Sequence, residues 1–236
     1  MKSGGIQRRL QGNGALSRYR RMVTGESGLP TFCFFELATT LLQPLPGSRG
    51  RRLRRIFLSP FFGHLGKGVW LEPDITFRRP AQISIGNGVR IGRGVTFDVK
   101  GESGYIKIGD GVHIGSNTIL SCPGGTMVIG RGCRIGQRCR LGSLQGLSLG
   151  AECTLGDSVC VVGAGHGYDR CDEPIIGQPL TCRGKTILGD RVDIGAEATL
   201  LDGVCLGDGV RVEAGSLVNK NIEKGVNVAG IPAVPR

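Results

Sequence analysis

The sequence predicts an all-β fold, a parallel β-helix shaped as a triangular prism of about six coils, preceded by a short basic arm with helical segments. Aliphatic residues recur every six positions between Ile85 and Val218, a period that suits neither an α-helix nor an alternating strand. Every interruption of this spacing follows a third aliphatic position, which indicates a three-sided coil. The basic arm is indicated by the first 60 residues, which hold 11 Lys and Arg against two acidic residues.

The arm is predicted to contain two helices. Residues 1–28 are polar, basic and rich in glycine, and we expect them to be mobile. Pro30 suits a first helical position, and an amphipathic helix is expected from there to Leu42. A second short helix is expected over residues 49–62, followed by entry into the prism through residues 69–82, with Trp70 sealing the first coil. The apolar face of the second helix is expected to consist of Leu53, Ile56, Phe57 and Phe61.

Two interpretations of the arm remain open on sequence alone. Its apolar face could cap the open base of the β-helix, since the ends of solenoids must be covered. Alternatively, a basic amphipathic pair of helices over residues 1–60 could lie on an anionic membrane surface. A nucleic-acid role for Arg51–Arg55 is disfavoured, because aromatic residues are not interleaved there for base stacking.

The repeats themselves define the coils. Three hexapeptides make one turn, so the steps from 97 to 108, 120 to 129, 141 to 149 and 161 to 188 should leave the prism at one corner. Side chains at the sixfold spacing should point inward and stack in columns. The expected inward positions are Ile85, Ile91, Phe97, Ile108, Ile114, Leu120, Ile129, Ile135, Leu141, Leu149, Leu155, Val161, Leu188, Ile194, Leu200, Leu206, Val212 and Val218.

The cysteine pattern indicates a reducing compartment. Cys133, Cys139 and Cys153 fall on the small inward position of the hexapeptide, where a thiol packs as a small apolar group. The sequence has no Cys-x-x-Cys pair of the zinc-binding kind. Residues 1–24 lack the apolar core of a secretory signal, and the apolar run Phe32–Leu42 is too short to cross a bilayer. We therefore expect a cytoplasmic protein, with an alternative peripheral position at the inner face of the membrane.

The largest insertion, residues 162–186, is where chemistry is expected. The chain has three histidines, and His166 lies at the start of this insertion between two glycines that leave its ring accessible. His113 should point out of the prism by strand alternation, and His64 is expected to be an ordinary surface residue. Among these, His166 is the candidate general base.

Several motifs beyond the hexapeptide array resemble the hexapeptide-repeat acyltransferases. They are the turn Gly163–His166, the loop through Pro174 and Gln178–Leu180, the restart Thr186–Asp190, the run Ser216–Ile222 and the ending Ala229–Ala233. The branch they resemble contains galactoside, maltose and xenobiotic O-acetyltransferases and the acetyltransferases of surface-polysaccharide clusters. The resemblance covers residues 65 to 236.

The resemblance implies a left-handed prism that assembles as a homotrimer, with acyl-CoA in the groove between two subunits and no metal. It makes His166 the catalytic base and places Lys220 against a coenzyme phosphate. The residues implied to line the coenzyme groove are Ala196, Ala214 and Asn219. The residues implied to contact the acceptor are Tyr168, Gln178 and Arg138, which stands where the family often has an Asn. Two further departures from the family pattern are Asp193, where a Trp is usual, and the ending, where only the terminal Arg236 offers a basic residue after Pro232-Ala233.

The expected function is transfer of an acetyl group from acetyl-CoA to a hydroxyl of a sugar or surface-polysaccharide precursor. N-acetylation of an amino sugar and a non-enzymatic β-helix scaffold are the alternatives. A carbonic anhydrase built on a similar prism would need three histidines around zinc, and the spacing of the three here offers no such cluster. The expected organisation is an arm at 1–64, a β-helix at 65–222 and a tail at 223–236.

Overall fold

Three mainly parallel β-sheets form the walls of a triangular solenoid, and helices from the described part of the arm cover its base. The structure, a computed structural model, describes residues 14–25 and 27–236. Mobility is predicted for residues 1–28, of which residues 1–13 and 26 lie outside the described residues. Most of the others form a helix over Ala15–Thr24, which contradicts the prediction. The helices are α1 (Ala15–Thr24), α2 (Leu29–Leu42) and α3 (Gly47–Leu58), and single 3-10 turns lie at Ser59–Phe61, Pro80–Gln82 and Ile175–Gly177.

Each coil contributes one strand to each of three faces, here called A, B and C. Face A consists of β1 (His64–Leu65), β4 (Ile83–Ile85), β7 (Tyr105–Ile108), β10 (Thr126–Ile129), β13 (Leu147–Leu149), β18 (Thr186–Leu188) and β21 (Cys205–Leu206). Face B consists of β2 (Trp70–Leu71), β5 (Arg90–Ile91), β8 (His113–Ile114), β11 (Arg134–Ile135), β14 (Thr154–Leu155), β19 (Asp193–Ile194), β22 (Arg211–Val212), β24 (Asn227–Ala229) and β25 (Val234–Pro235). Face C consists of β3 (Thr76–Arg78), β6 (Thr96–Val99), β9 (Ile119–Cys122), β12 (Arg140–Gly142), β15 (Cys160–Val161), β20 (Thr199–Leu200) and β23 (Leu217–Val218).

The sixfold aliphatic spacing produces columns of buried side chains. On face A, parallel pairing aligns Ile85, Ile108, Ile129, Leu149 and Leu188, and all five are buried. Full burial of one such side chain stabilises a fold by ~1.5–3 kcal/mol. The predicted inward stacking is confirmed at all of the predicted positions, each of which is buried.

Close stacking at the corners requires small residues. A Cβ added at Gly136 would lie 2.5 Å from the carbonyl carbon and oxygen of Gly156 in the next coil. Real side chains do not approach a backbone so closely, so glycine is needed at this corner. The inward cysteines Cys133, Cys139 and Cys153 are buried free thiols, as predicted.

The solenoid has seven coils, one more than the six predicted. The additional coil is the first, and its inward positions are Leu65, Leu71 and Phe77, which keep the sixfold spacing. Trp70 does not seal this coil, because its side chain points outward and is flanked by Arg51 and Arg90, each with its guanidinium carbon 4.7 Å from the ring centroid.

Phenylalanines fill the base of the solenoid instead. Phe62 meets Phe77 edge-on at 4.9 Å between ring centroids, and Phe77 stacks on Phe97 at 5.4 Å. The inward residues Phe32, Phe35 and Ala38 of α2 belong to the same buried core. The helices therefore cap the base of the prism.

The orientation of α3 differs from the prediction. Arg54 and Leu58 face inward and are buried, whereas Ile56 and Phe57 are 58% and 41% exposed. The cause is the hydrogen bonding of Arg54. Its Nε donates to the carbonyl of Leu71 at 2.9 Å.

Arg54 also closes the end of the preceding helix. Its Nη1 donates to the carbonyls of Leu42 at 2.9 Å and Leu45 at 2.7 Å. The last carbonyls of a helix have no partner within the helix, so this guanidinium satisfies groups that would otherwise be buried unpaired. Burial lowers the pKa of Arg54. In the described part of the chain, none of the helices is long and apolar enough to cross a membrane.

All four predicted interruptions leave the solenoid at the same edge. Each connects a strand of face C to the next strand of face A, so this boundary is called the CA edge. The boundary between faces B and C is called the BC edge. The prediction of a common corner is confirmed, and it places the longest insertion on the CA edge after β15.

Candidate active site

The long insertion after β15 contains a short antiparallel hairpin that presents His166. Its strands are β16 (Gly165–His166) and β17 (Leu180–Thr181), with His166 opposite Leu180. The Gly167 amide donates to the carbonyl of Pro179 at 2.9 Å, and the Thr181 hydroxyl donates to the carbonyl of Gly165 at 3.3 Å. These bonds hold the imidazole on an ordered backbone with its side chain exposed.

The hydrogen bond of His166 determines which ring nitrogen can accept a proton. Nδ1 of His166 lies 2.9 Å from the backbone carbonyl oxygen of Gln178. A carbonyl oxygen can only accept a hydrogen bond, so Nδ1 carries the proton. In the neutral ring the lone pair is then on Nε2. This arrangement is suited to a general base that takes a proton at Nε2.

Gln178 positions the loop through its side chain. The residue is 4% exposed, and its Nε2 donates to the carbonyls of Arg170 at 2.7 Å and Glu173 at 3.3 Å. Its Oε1 accepts a bond from the backbone amide of Arg170 at 3.3 Å. The predicted contact of Gln178 with the acceptor stays a prediction, and the amide is buried with its hydrogens bound to the loop's own backbone.

A charged cluster closes the same loop, and sequence analysis missed it. The Arg170 guanidinium binds Asp172 through Nε at 3.1 Å and Nη2 at 2.6 Å, and lies 3.5 Å from a carboxylate oxygen of Glu173. The hydrogen bonds from Arg170 lower the pKa of Asp172. The run of charges over residues 169–173 was the available sequence signal, although the pairing depends on the turn.

Asp202 anchors the end of the insertion to the next coil, and it was also missed. Its carboxylate accepts hydrogen bonds from the backbone amide and the Nε of Arg183. Burial raises the pKa of Asp202, but the bonds and the positive charge of Arg183 outweigh burial, and the pKa is lowered overall. Gln145 adds a second attachment through its Nε2, 3.4 Å from the carbonyl of Cys182.

The loop that carries His166 exposes four large apolar side chains in addition to its charged residues. Tyr168 is 78% exposed, so it can reach a bound molecule, and its predicted contact with an acceptor stays a prediction. The other large exposed apolar side chains of the loop are Ile175, Ile176 and Leu180. A small apolar surface of this kind is typical of binding sites and of contacts between subunits.

The remaining predicted site residues lie on two different edges of the solenoid. Asn219 and Lys220 follow β23 and are exposed on the CA edge, which is also where the His166 loop begins. The other three are Arg138, Ala196 and Ala214, which lie between strands of faces B and C and therefore on the BC edge. The two groups are separated by the width of face C, about 16 Å for five extended residues.

Contacts between neighbouring coils arrange the residues on the BC edge. The Gly215 amide donates to the carbonyl of Ala196 at 2.8 Å, which stacks Ala196 under the turn that contains Ala214. Arg138 occupies the same edge further down with a positive φ of 54°. Ala196 and Ala214 thus lie together, but the chain does not place them beside His166.

The other two departures from the family pattern have definite positions. The tail folds back as β25 against β24, and Nη1 of Arg236 binds Oε1 of Glu213 at 2.8 Å, next to Ala214. Asp193 lies on face B in register with Arg211. Arg236 is therefore a basic group on the BC edge even though the tail is short.

The three histidines lie apart. His64 is on face A, His113 points outward from face B as predicted, and His166 is in the loop. His113 borders a cavity of about 270 Å³ together with Arg134. No group of three or more His, Cys, Asp or Glu residues with metal-binding geometry occurs among the residues that the structure describes.

Comparisons with known proteins identify the repeat. Residues 126–159 and 185–220 match the family described as hexapeptide repeat of succinyl-transferase. The chain is 51% identical over 49 residues to the putative acetyltransferase YvoF of Bacillus subtilis, covering 21% of this chain and 28% of that protein. It is 24% identical over 137 residues to the putative lipopolysaccharide biosynthesis O-acetyl transferase WbbJ of Escherichia coli, covering 55% of this chain and 70% of that protein.

A solved structure shows the same fold. The N-acyltransferase AntD of Bacillus cereus, in complex with dTDP and 3-hydroxybutyryl-CoA, matches with a TM-score of 0.54 and 24% identity over 80% of this chain and 87% of that one. The predicted left-handed parallel β-helix is thereby confirmed. The aligned part of the chain spans only 28% of YvoF and 40% of the bifunctional protein GlmU of Acinetobacter baylyi.

Proposed function

We propose that this chain, which belongs to the hexapeptide-repeat β-helix proteins, is an acyl-CoA-dependent O-acyltransferase that uses acetyl-CoA to acetylate a sugar hydroxyl. The observation that supports this most is the state of His166. Its Nδ1 is bound to the Gln178 carbonyl, so that Nε2 is available as a base on an exposed hairpin. A sugar hydroxyl is a weak nucleophile and needs such a base.

The proposed reaction needs one proton acceptor. The acceptor hydroxyl gives its proton to Nε2 of His166 as its oxygen attacks the thioester carbonyl carbon. The tetrahedral intermediate then expels the coenzyme A thiolate with cleavage of the carbon–sulfur bond. The imidazolium returns its proton to the thiolate, and neutral His166 is restored. General base catalysis of this kind contributes ~10²–10⁴-fold.

The donor site proposed here lies between two subunits of a homotrimer. One chain places Asn219, Lys220 and the His166 loop on its CA edge, but places Ala196 and Ala214 on the BC edge. A groove formed by the CA edge of one subunit and the BC edge of the next would unite both groups. The exposed apolar residues of the loop support such a contact. Lys220 would meet a coenzyme phosphate as a point charge.

A sugar acceptor from surface-polysaccharide synthesis is the class that we favour. WbbJ supports this choice, because its description is that of a lipopolysaccharide O-acetyl transferase. Arg138 on the BC edge and Tyr168 on the loop are the proposed acceptor contacts. The nine free thiols, all in the described part of the chain, support a reducing, cytoplasmic environment.

The decisive experiment measures release of coenzyme A from acetyl-CoA with matched panels of neutral sugars and amino sugars. O-acetylation predicts activity on sugars without an amino group, and that activity should be lost in His166→Ala. Activity confined to amino sugars, and retained in His166→Ala, would indicate N-acetylation, since an amine attacks with less help from a base. Light scattering on the same sample should report a trimer, and a monomer at micromolar concentration would contradict the shared site.

A further inference from the structure

The outer face of α2 is exposed and carries no charge. Phe34, Leu37 and Leu41 project from it, with Leu37 and Leu41 57% and 59% exposed. Its inner face, described above, is buried against the base of the prism. The only charged residue of α2 is Glu36, whose Oε1 accepts a hydrogen bond from the hydroxyl of Tyr19 at 3.3 Å. A helix with large apolar side chains on both its inner and its outer face normally lies in a protein core or against lipid.

Basic helices lie on both sides of this apolar face. Tyr19 of α1 meets Phe32 of α2 edge-on at 5.8 Å, and Phe61 after α3 stacks on Phe34 at 5.8 Å. Helix α1 contains three arginines and α3 contains five, and neither contains an acidic residue. An uncharged face flanked by cations on both sides is the pattern of helices that bind anionic membrane surfaces.

The exposed part of α3 extends the same pattern. Ile56 and Phe57 face outward, contrary to the sequence-based expectation, because Arg54 occupies the inward position. Arg49 and Arg52 are exposed within two turns of these two residues. Long arginine side chains can reach phosphate groups while their stems cover apolar surface.

The charge distribution argues against a second copy as the occupant of this face. A twofold contact through α2 would bring the arginines of α1 and α3 of both copies close together without acidic residues from either helix to oppose them. A bilayer that contains anionic phospholipid neutralises these arginines and accepts the apolar face in one contact.

We propose that the outer face of α2, together with Ile56 and Phe57 of α3, docks on the surface of an anionic phospholipid membrane. Helix α2 lies in the plane of the interface, and the exposed arginines, Arg18 of α1 and Arg49 and Arg52 of α3, meet lipid phosphates. The inner faces of the same helices keep their contact with the base of the prism. Capping and membrane binding are therefore carried out by opposite sides of the arm.

Deleting the arm would not test this proposal, because it would expose Phe62 and Phe77 at the base of the prism. The test uses the full chain in sedimentation with vesicles of phosphatidylglycerol and phosphatidylcholine, compared with phosphatidylcholine alone. The protein should sediment with the anionic vesicles, and less at higher salt. Binding should fall about tenfold or more in the variant Leu37→Asp/Leu41→Asp.

Charge reversal provides an independent variant. Arg49→Glu/Arg52→Glu should weaken binding by about fivefold or more for each arginine. The control for the variant Leu37→Asp/Leu41→Asp is Ile231→Asp, which changes an exposed apolar residue in the tail and should bind as the unmodified chain does. Thermal unfolding followed by circular dichroism checks that each variant is folded.

The proposal would be overturned if the unmodified chain bound neutral and anionic vesicles equally or bound neither. It would also be overturned if both double variants bound as tightly as the unmodified chain. Light scattering tests a second copy of the chain as the rival occupant. This rival would be supported if the unmodified chain did not bind vesicles and the folded variant Leu37→Asp/Leu41→Asp formed a smaller assembly than the unmodified chain. None of these outcomes depends on the proposed transferase activity.

Discussion

His166 donates a hydrogen bond from Nδ1 to the backbone carbonyl of Gln178 across 2.9 Å, while the Gln178 side chain is buried in the same loop. One residue therefore fixes the tautomer of the histidine through its main chain and the shape of the loop through its side chain.

The first prediction concerns His166 as the base. His166→Ala should lower kcat by ~10²–10⁴-fold, because the acceptor hydroxyl loses its proton acceptor, and should leave the Kd for acetyl-CoA nearly unchanged. Steady-state kinetics and equilibrium binding of acetyl-CoA check both points.

His113→Ala is the matched control for this prediction. His113 points out of face B, away from the loop, so its replacement should change kcat only slightly. Equal losses in the two variants would remove the special role assigned to His166.

The second prediction concerns Gln178 as a positioning residue. Gln178→Ala leaves the carbonyls of Arg170 and Glu173 without their donors, a loss of about 1–3 kcal/mol in the stability of the loop. The loop should then be cut faster by protease, and kcat should fall while the Kd for acetyl-CoA stays constant. The structure predicts no change in protease sensitivity for Tyr168→Ala, since that side chain is exposed; equal sensitivity in both variants would contradict the positioning role.

The third prediction tests the coenzyme contact of Lys220. Lys220→Glu should raise the KM for acetyl-CoA, because it replaces attraction to a phosphate with repulsion. The increase should be smaller for a donor that lacks the 3′-phosphate. Lys224→Glu is the matched control, since Lys224 is also exposed and lies four residues further along the chain. If the penalty is the same with both donors, Lys220 does not contact the 3′-phosphate.

The fourth prediction concerns the pH dependence of the loop anchor at Asp202. The pKa of Asp202 is lowered in the folded chain, so its stabilising contribution is complete above the pKa of the unfolded state, about 3.9. The contribution is lost as pH falls through the lower folded pKa. Cleavage after Arg183 by an acid-active protease should therefore accelerate only in strong acid.

Asp202→Asn should make the peptide bond after Arg183 susceptible to protease at neutral pH, because the asparagine amide lacks the charge that binds the guanidinium of Arg183. Asp172→Asn serves as the control, because Asp172 pairs with Arg170 inside the loop and not with the next coil. An Asp202→Asn chain with the protease resistance of the unmodified one would show that Arg183 is held by other contacts.

The periodicity of the sequence was enough to predict the class of fold. The sixfold spacing of small and aliphatic residues allows one inward side chain per hexapeptide, and Leu65, Leu71 and Phe77 obey the same rule in the coil that the prediction omitted. It also located the four insertions on one edge, since each follows a complete turn. These features depend on local periodicity, which sequence alone displays.

The folded chain was needed to show which side of the arm faces inward and what surrounds His166. Arg54 turns α3 because it binds carbonyls of residues 42, 45 and 71, and no periodicity in α3 reveals partners so far away. The separation of Ala196 and Ala214 from Lys220 across face C likewise depends on the closing of the prism. The tautomer of His166 was not visible in the sequence either, because it is set by a backbone carbonyl, a group that every residue possesses.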